Sequence, residues 1–218
     1  MRVGIIGGTF DPVHLGHLII AEEARIRLGL VQVIFVPTGQ PWLKAGRPLT
    51  EGTHRYNMLQ LAVSSNPYFH AARNEIDRPG PTYTVDTLIE LRSELGPATE
   101  LYFILGRDAL EQFHLWKDPD RLLELCNLVV VSRPSYPDGD LSSLIARYPQ
   151  AIDKVVVLPV PLIQISGTEI RRRAADGTSF RYHVPEAVGQ YILEHGLYRV
   201  PPGRLEPPHS RLVSMGGI

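Results

Sequence analysis

Residues 7–17 read Gly-Gly-Thr-Phe-Asp-Pro-Val-His-Leu-Gly-His, directly after the apolar run Val3-Gly4-Ile5-Ile6. An ordinary turn needs one glycine or one proline, so three glycines, a proline and two histidines within eleven residues call for another explanation. Gly7 and Gly8 lack Cβ atoms and let a ligand approach the backbone. Asp11-Pro12 turns the chain, and a helix is expected to start near Val13 or Leu15, its first free N–H groups and dipole favouring an anion. His14 and His17, three apart, lie about 60° apart around such a helix, on one face. Two imidazoles beside free amides make a phosphate-sized site, in which Asp11 is the one carboxylate. For Asp11 the competing reading is a helix cap.

Working outward, short apolar runs alternate with amphipathic stretches. Strands are expected at Val3–Ile6, Val31–Val36, Leu101–Leu105, Leu128–Val131 and Val155–Leu158, with a weaker one near Ala72–Ile76. They are apolar at almost every position, as strands covered on both faces are. Helices are expected over Leu15–Leu28, stopped by Gly29, over His54–Ser64, over Thr84–Leu95, stopped by Gly96, and over Leu141–Tyr148, Gly167–Ala175 and Glu186–His195. This alternation predicts an α/β fold: an open, doubly wound parallel sheet in three α/β/α layers. Ligands in such sheets bind beyond the carboxyl ends of the strands, where the strand order switches, and Gly7–His17 follows the first strand. One domain is expected over 1–199. The Pro/Gly-rich tail 200–218 is read as disordered or as an arm packed on a neighbour.

The 22 basic and 23 acidic side chains leave a formal net charge of −1, so no global basic field argues for nucleic acid as a partner. No apolar run approaches the roughly 20 residues that span a bilayer, and no secretory leader is evident. Cys126 is the single cysteine. It excludes an intrachain disulfide and fits a reducing, cytoplasmic setting. The P-loop pattern is absent, and Gly4-x-x-Gly7-Gly8 does not fit G-x-G-x-x-G. Two histidines at i, i+3 without a third ligand are a weak metal site.

A second constellation lies 150 residues later: Ile165-Ser-Gly-Thr-Glu-Ile-Arg-Arg-Arg173. Ser166 and Glu169 form a capping-box pattern, which starts a helix at Gly167. Cations near a helix N-terminus oppose its dipole, and a bound anion would reverse that sign. Ser166, Thr168 and Arg171 are therefore candidate phosphate ligands, whereas Arg172 and Arg173 read as solvated surface.

The motifs T-F-D-P-V-H-x-G-H and I-S-x-T-x-I-R resemble the paired signatures of the HxGH nucleotidyltransferase superfamily. Within it the sequence is similar to bacterial nicotinate-nucleotide adenylyltransferases, through Thr-Tyr-Thr-Val-Asp-Thr-Leu (82–88), Leu105-Gly-x-Asp108 with Trp116 beyond it, and Val184-Pro-Glu-Ala-Val with Tyr191-Ile-Leu-Glu-His-Gly-Leu-Tyr198. The likeness covers residues 1 to about 199. It departs at Gly167, where that family usually has serine.

The resemblance implies a Rossmann-like nucleotidyltransferase fold and the reaction of ATP with nicotinate mononucleotide to nicotinate adenine dinucleotide and pyrophosphate. Mg²⁺ would be carried by the ATP phosphates, without a protein metal site. By this resemblance His14 and His17 grip the ATP phosphates, with backbone approach at Gly8, Thr9 and Phe10. Ser166, Thr168 and Arg171 hold the outer phosphates. Lys44 matches a phosphate-binding lysine in a proline-rich loop, and His17, His14, Lys44 and Arg171 form the catalytic set. Gly106 and Asp108 face the adenosine, Trp116 stacks on the pyridine, Thr84 and Lys117 offer amides to its carboxylate, and Arg55 helps hold the mononucleotide. The partners are these small molecules, with neither nucleic acid nor membrane, and homo-oligomers are left open. The sequence leaves nicotinamide mononucleotide open as the substrate. A phosphopantetheine adenylyltransferase or a cytidylyltransferase resembles the two phosphate motifs but not the Thr82–Leu88 and Trp116 pair. A catalytically silent nucleotide-binding regulator is disfavoured by the intact His14, His17, Lys44 and Arg171.

Overall fold

The computed structural model describes residues 1–41, 49–132, 141–161 and 163–199. Its central sheet runs in the order β4-β2-β1-β6-β7-β8, built from β1 (Arg2–Gly8), β2 (Gln32–Pro37), β4 (Phe69–Ala71), β6 (Glu100–Gly106), β7 (Cys126–Ser132) and β8 (Val155–Pro159). All its pairings are parallel. The chain winds outward from β1 through β2 to β4, then returns to β6 beside β1 and winds out the other way. The switch in strand order therefore lies between β1 and β6, whose carboxyl ends are Gly8 and Gly106.

Alternation along the strands explains the two layers of helices. Val3 and Ile5 face one side and join Val85, Leu88 and Leu91 of α4 (Thr84–Leu95) and Leu122 of α6 (Pro119–Leu125). Ile6 faces the other side, with Ala21 and Ala24 of α1 (Leu15–Leu28), Met58 of α2 (Gly52–Val63), Ile170 of α8 (Gly167–Ala175) and Val188 of α9 (Glu186–Glu194). Period-two side chains thus supply two apolar faces, and each demands its own helical cover. The predicted α/β/α class is the observed one.

The weak strand expected near Ala72–Ile76 is corrected. The edge strand β4 ends at Ala71, and Asn74–Asp77 is a helical turn, α3. Phe69 anchors β4 by packing edge-on against Phe35, with ring centroids 5.2 Å apart. The turn that follows buries Glu75 beneath the Thr87 hydroxyl. Also beyond the expected elements are a two-stranded pair, β3 (Gln40–Pro41) with β5 (Pro81–Thr82), and the short helices α5 (Arg107–Glu111) and α6, whereas α7 (Ser142–Arg147) falls within the helix expected over Leu141–Tyr148. The tail 200–218 and Lys44, the lysine expected to bind phosphate, lie outside the described residues.

Candidate active site

Helix α1 starts one residue after His14, which is its extended N-cap. The His14 backbone N–H donates to His17 Nδ1 at 3.2 Å. This bond fixes the neutral His17 tautomer: Nδ1 accepts, so the proton sits on Nε2. The His14 ring folds back over the first turn and stacks on His17, centroids 3.7 Å apart and 22° from parallel. Gly16 makes room for it, because a Cβ there would lie 3.1 Å from the His14 ring. The Leu15 amide donates to the His183 carbonyl at 2.9 Å. Beneath the pair, Phe10 holds φ at 46°, a costly conformation for a bulky residue. It is held by full burial, with the ring edge-on to His17 at 4.9 Å and tilted against Phe35.

Burial pushes the His14 imidazole down to about 4, with nearby His183 adding to the effect. Burial first, then the adjacent His14, holds His17 well below its ordinary value. Both rings are neutral near pH 7. A histidine depressed on folding stabilises the fold fully above its unfolded value of about 6.5. Below that, the unfolded chain takes up protons that the native rings refuse, and stability is lost. For two such groups the loss between pH 7 and 5.5 is on the order of 2 kcal/mol. Glu75, pushed up by burial, acts in the opposite direction. Comparison with His14→Gln isolates the histidine part: chemical denaturation at pH 7 and 5.5 should show a smaller loss in that variant.

The Asp11 carboxylate does not cap α1. It accepts from the Tyr198 hydroxyl at 2.7 Å and from the Thr50 amide at 3.3 Å. The Asp11 carbonyl accepts from Arg171 Nη1 at 2.6 Å, and Arg171 Nη2 lies 3.3 Å from Thr168 Oγ1. The two motifs, far apart in sequence, therefore meet. Gly167 permits the approach, since a Cβ there would come within 2.8 Å of the Asp11 carbonyl oxygen. Only half of the expected capping box forms: Ser166 Oγ accepts from the Glu169 amide at 3.2 Å, while the Glu169 side chain turns to Arg172 and Arg173. Those two arginines are surface ion-pair partners, as read from sequence.

A cleft of about 1010 Å³ opens at the switch point. Gly8, Thr9, His14 and His17 line it, together with Gly106 and Asp108 and with Thr84, Trp116 and Lys117. Trp116 is braced edge-on by Phe103, centroids 5.8 Å apart, and its indole N–H is buried without a partner among the described residues. Thr84 opens α4, which has no side-chain cap from Tyr83. Lys117 Nζ pairs with Asp86 at 2.9 Å and lies 4.7 Å from the centroid of the Tyr83 ring. Ser166, Thr168 and Arg171 stand beside the cleft rather than in its wall.

Arg55 corrects the sequence reading. It is 2% exposed and absent from the cleft wall. Its guanidinium donates to the carbonyls of Thr9 and Thr50, both at 2.8 Å, and of Gly39 at 3.5 Å. It braces the loop and is spent on the backbone. Glu75 in the cleft wall and Thr50 on Asp11 had no sequence signal, and the C-terminal motif that ends in Tyr198 gave no sign of its bond to Asp11, which spans 187 positions.

Residues 5–173 match the cytidylyltransferase-like family, which places the paired imidazoles in a nucleotidyltransferase domain. Among relatives, the probable nicotinate-nucleotide adenylyltransferase of Thermomicrobium roseum is 50% identical over 198 residues, covering 91% of this chain and 92% of the relative. The one from Moorella thermoacetica is 46% identical, with the same coverages. The chain belongs to the nicotinate-nucleotide adenylyltransferase family. The fold is also that of Plasmodium falciparum nicotinic acid mononucleotide adenylyltransferase, solved with NaAD, at a TM-score of 0.72 and 20% identity over 90% of this chain and 97% of that one. No helix among the described residues is long and apolar enough to cross a membrane.

Proposed function

We propose that this protein transfers the adenylyl group of ATP to nicotinate mononucleotide, releasing pyrophosphate and forming nicotinate adenine dinucleotide. One observation carries the reading. The donor-rich start of α1, tied through Asp11 to Arg171, opens into the same cleft as Trp116 and the start of α4, so a triphosphate and a flat anionic ring fit end to end.

The mononucleotide phosphate is a nucleophile at neutral pH without a general base. Its oxygen attacks the α-phosphorus and the bond to the pyrophosphate oxygen breaks, so catalysis reduces to alignment and charge stabilisation. His17 Nε2–H, the α1 amides and the backbone at Gly8 and Thr9 supply donors where negative charge grows. Arg171, Ser166 and Thr168 face the outer phosphates, Lys44 adds a cation, and Gly106 and Asp108 take the adenosine. Among the described residues no three of His, Cys, Asp and Glu gather into a metal cage. Mg²⁺ would arrive on the triphosphate, where it would neutralise charge.

Trp116 supplies an aromatic face for the pyridine. The α4 N-terminus at Thr84, with the amides around Trp116 and Lys117, suits a carboxylate better than a carboxamide, because amide bonds to a charged acceptor are the stronger ones. One such difference is worth about 1.5 kcal/mol, or roughly tenfold. Pyrophosphate release measured with each mononucleotide should favour nicotinate by at least about tenfold in kcat/KM. Equal turnover of both would remove the acid preference.

A further inference from the structure

The C-terminal motif Tyr191–Tyr198 has no part in the chemistry above, yet its last residue reaches the phosphate loop. After α9 the chain reverses through Gly196 at φ 58° and Tyr198 at φ 67°. The reversal is pinned by the Leu197 amide on the Ile192 carbonyl at 3.0 Å. A left-handed tyrosine is uncommon. Here it aims the hydroxyl at Asp11 Oδ1, 2.7 Å away, while the half-buried ring packs against the core. Asp11 is 4% exposed. Its other oxygen takes the Thr50 amide, and its carbonyl takes Arg171. Thr50 in turn gives its carbonyl to Arg55, which also holds Thr9.

We propose that Tyr198 is a positioning residue for ATP: its hydroxyl bolts Asp11 in place, and Asp11 sets the spacing between the His14–His17 pair and Arg171. The inference rests on reading the cleft as a nucleotidyl-transfer site. The geometry is specific. Asp11 lies three residues before His14 in the chain and bonds directly to the arginine of the second motif, so a shift of this one residue moves both sides of the triphosphate site relative to each other. A buried carboxylate that loses a donor moves to find another, and the bonded partners move with it. The mononucleotide end, built on Thr84 and Trp116, has no bond to Asp11 and is spared.

The test uses the full chain with Tyr198→Phe, which removes only the hydroxyl. Tyr191→Phe is the matched control: that hydroxyl, 2.9 Å from His54 Nδ1 and 3.1 Å from Asn57 Nδ2, belongs to the same C-terminal segment but not to the phosphate loop. Steady-state pyrophosphate release, thermal unfolding and calorimetric ATP affinity are measured on each. Tyr198→Phe should lower kcat/KM for ATP by about tenfold or more while leaving KM for the mononucleotide within about twofold. Tyr191→Phe should keep both, even where its melting temperature falls as far. Adding Tyr198→Phe to Asp11→Asn should cost less than it does alone, as coupled groups require. Wild-type kinetics in folded Tyr198→Phe, or an equal loss in Tyr191→Phe, overturns the proposal. If the wild type releases no pyrophosphate with either mononucleotide, the functional reading fails instead, and ATP affinity in the two phenylalanine variants still decides the role of Tyr198.

Discussion

His17→Ala should reduce pyrophosphate release by about a hundredfold or more, the usual cost of deleting one donor aimed at charge in a transition state. The reasoning starts from a single bond. Because His17 Nδ1 accepts the His14 amide at 3.2 Å, the neutral ring presents Nε2–H on its other edge. Because burial and the stacked His14 hold its pKa well below the ordinary value, the ring starts uncharged. As negative charge grows on the phosphates, the hydrogen bond from this neutral Nε2–H strengthens, so the group gains interaction during the step, where binding energy accelerates chemistry. The loss should therefore appear mainly in kcat, with a smaller change in KM for ATP. Folding should survive: alanine is a good helix former at the third helical position, and His14, whose amide it releases, lines the cleft. Retention of more than about a third of wild-type turnover in the folded variant would mean that the Nε2 edge does not face the reacting phosphate.

How far the sequence discloses this site depends on which forces act locally. The parallel strands are legible because two-sided burial leaves unbroken apolar runs, and α1, α4 and α8 start and stop where expected, with Gly29 and Gly96 closing the first two. The His14–His17 pair is legible for the same reason: its partners are three residues apart and share one turn. The roles of Asp11 and Arg55 are not legible, because their partners are distant in sequence. In one dimension an acid in the phosphate loop is compatible with a ligand role, and the family resemblance extends one to Arg55 on α2, whereas the fold spends them on Tyr198, Thr50 and the carbonyls of Thr9 and Gly39. The turn at Asn74–Asp77 was illegible because it follows from burying Glu75 against Thr87 rather than from any periodicity. Helix α6 did carry a signal: Asp118 accepts from the Arg121 amide at 3.3 Å and Pro119 opens the helix, a pairing that sequence rules recognise.

Arg55→Met should unfold the protein more readily rather than weaken mononucleotide binding. The guanidinium is 2% exposed, and burial lowers its pKa despite the nearby Asp11. It is retained because three carbonyls accept from it and the carboxylates of Asp11 and Glu75 favour the cation. Methionine fills much of the volume but leaves the Thr9 and Thr50 carbonyls without their donor and removes the cation that faces Asp11. Each stranded buried acceptor costs about 1–3 kcal/mol, so a loss of about 3 kcal/mol or more is expected. For a chain of this size that is roughly 6–12 °C in melting temperature. Arg55→Lys should recover little of it, since one compact ammonium cannot serve acceptors spread around a planar fork. A mononucleotide contact would behave in the opposite way: KM for the mononucleotide would rise several-fold with the melting temperature unchanged. Thermal unfolding and mononucleotide KM measured on both variants separate the two roles. The same data bear on the loop itself, because Arg55 holds Thr9, Gly39 and Thr50 together, and slackening it should lower turnover even at temperatures where the variant is fully folded.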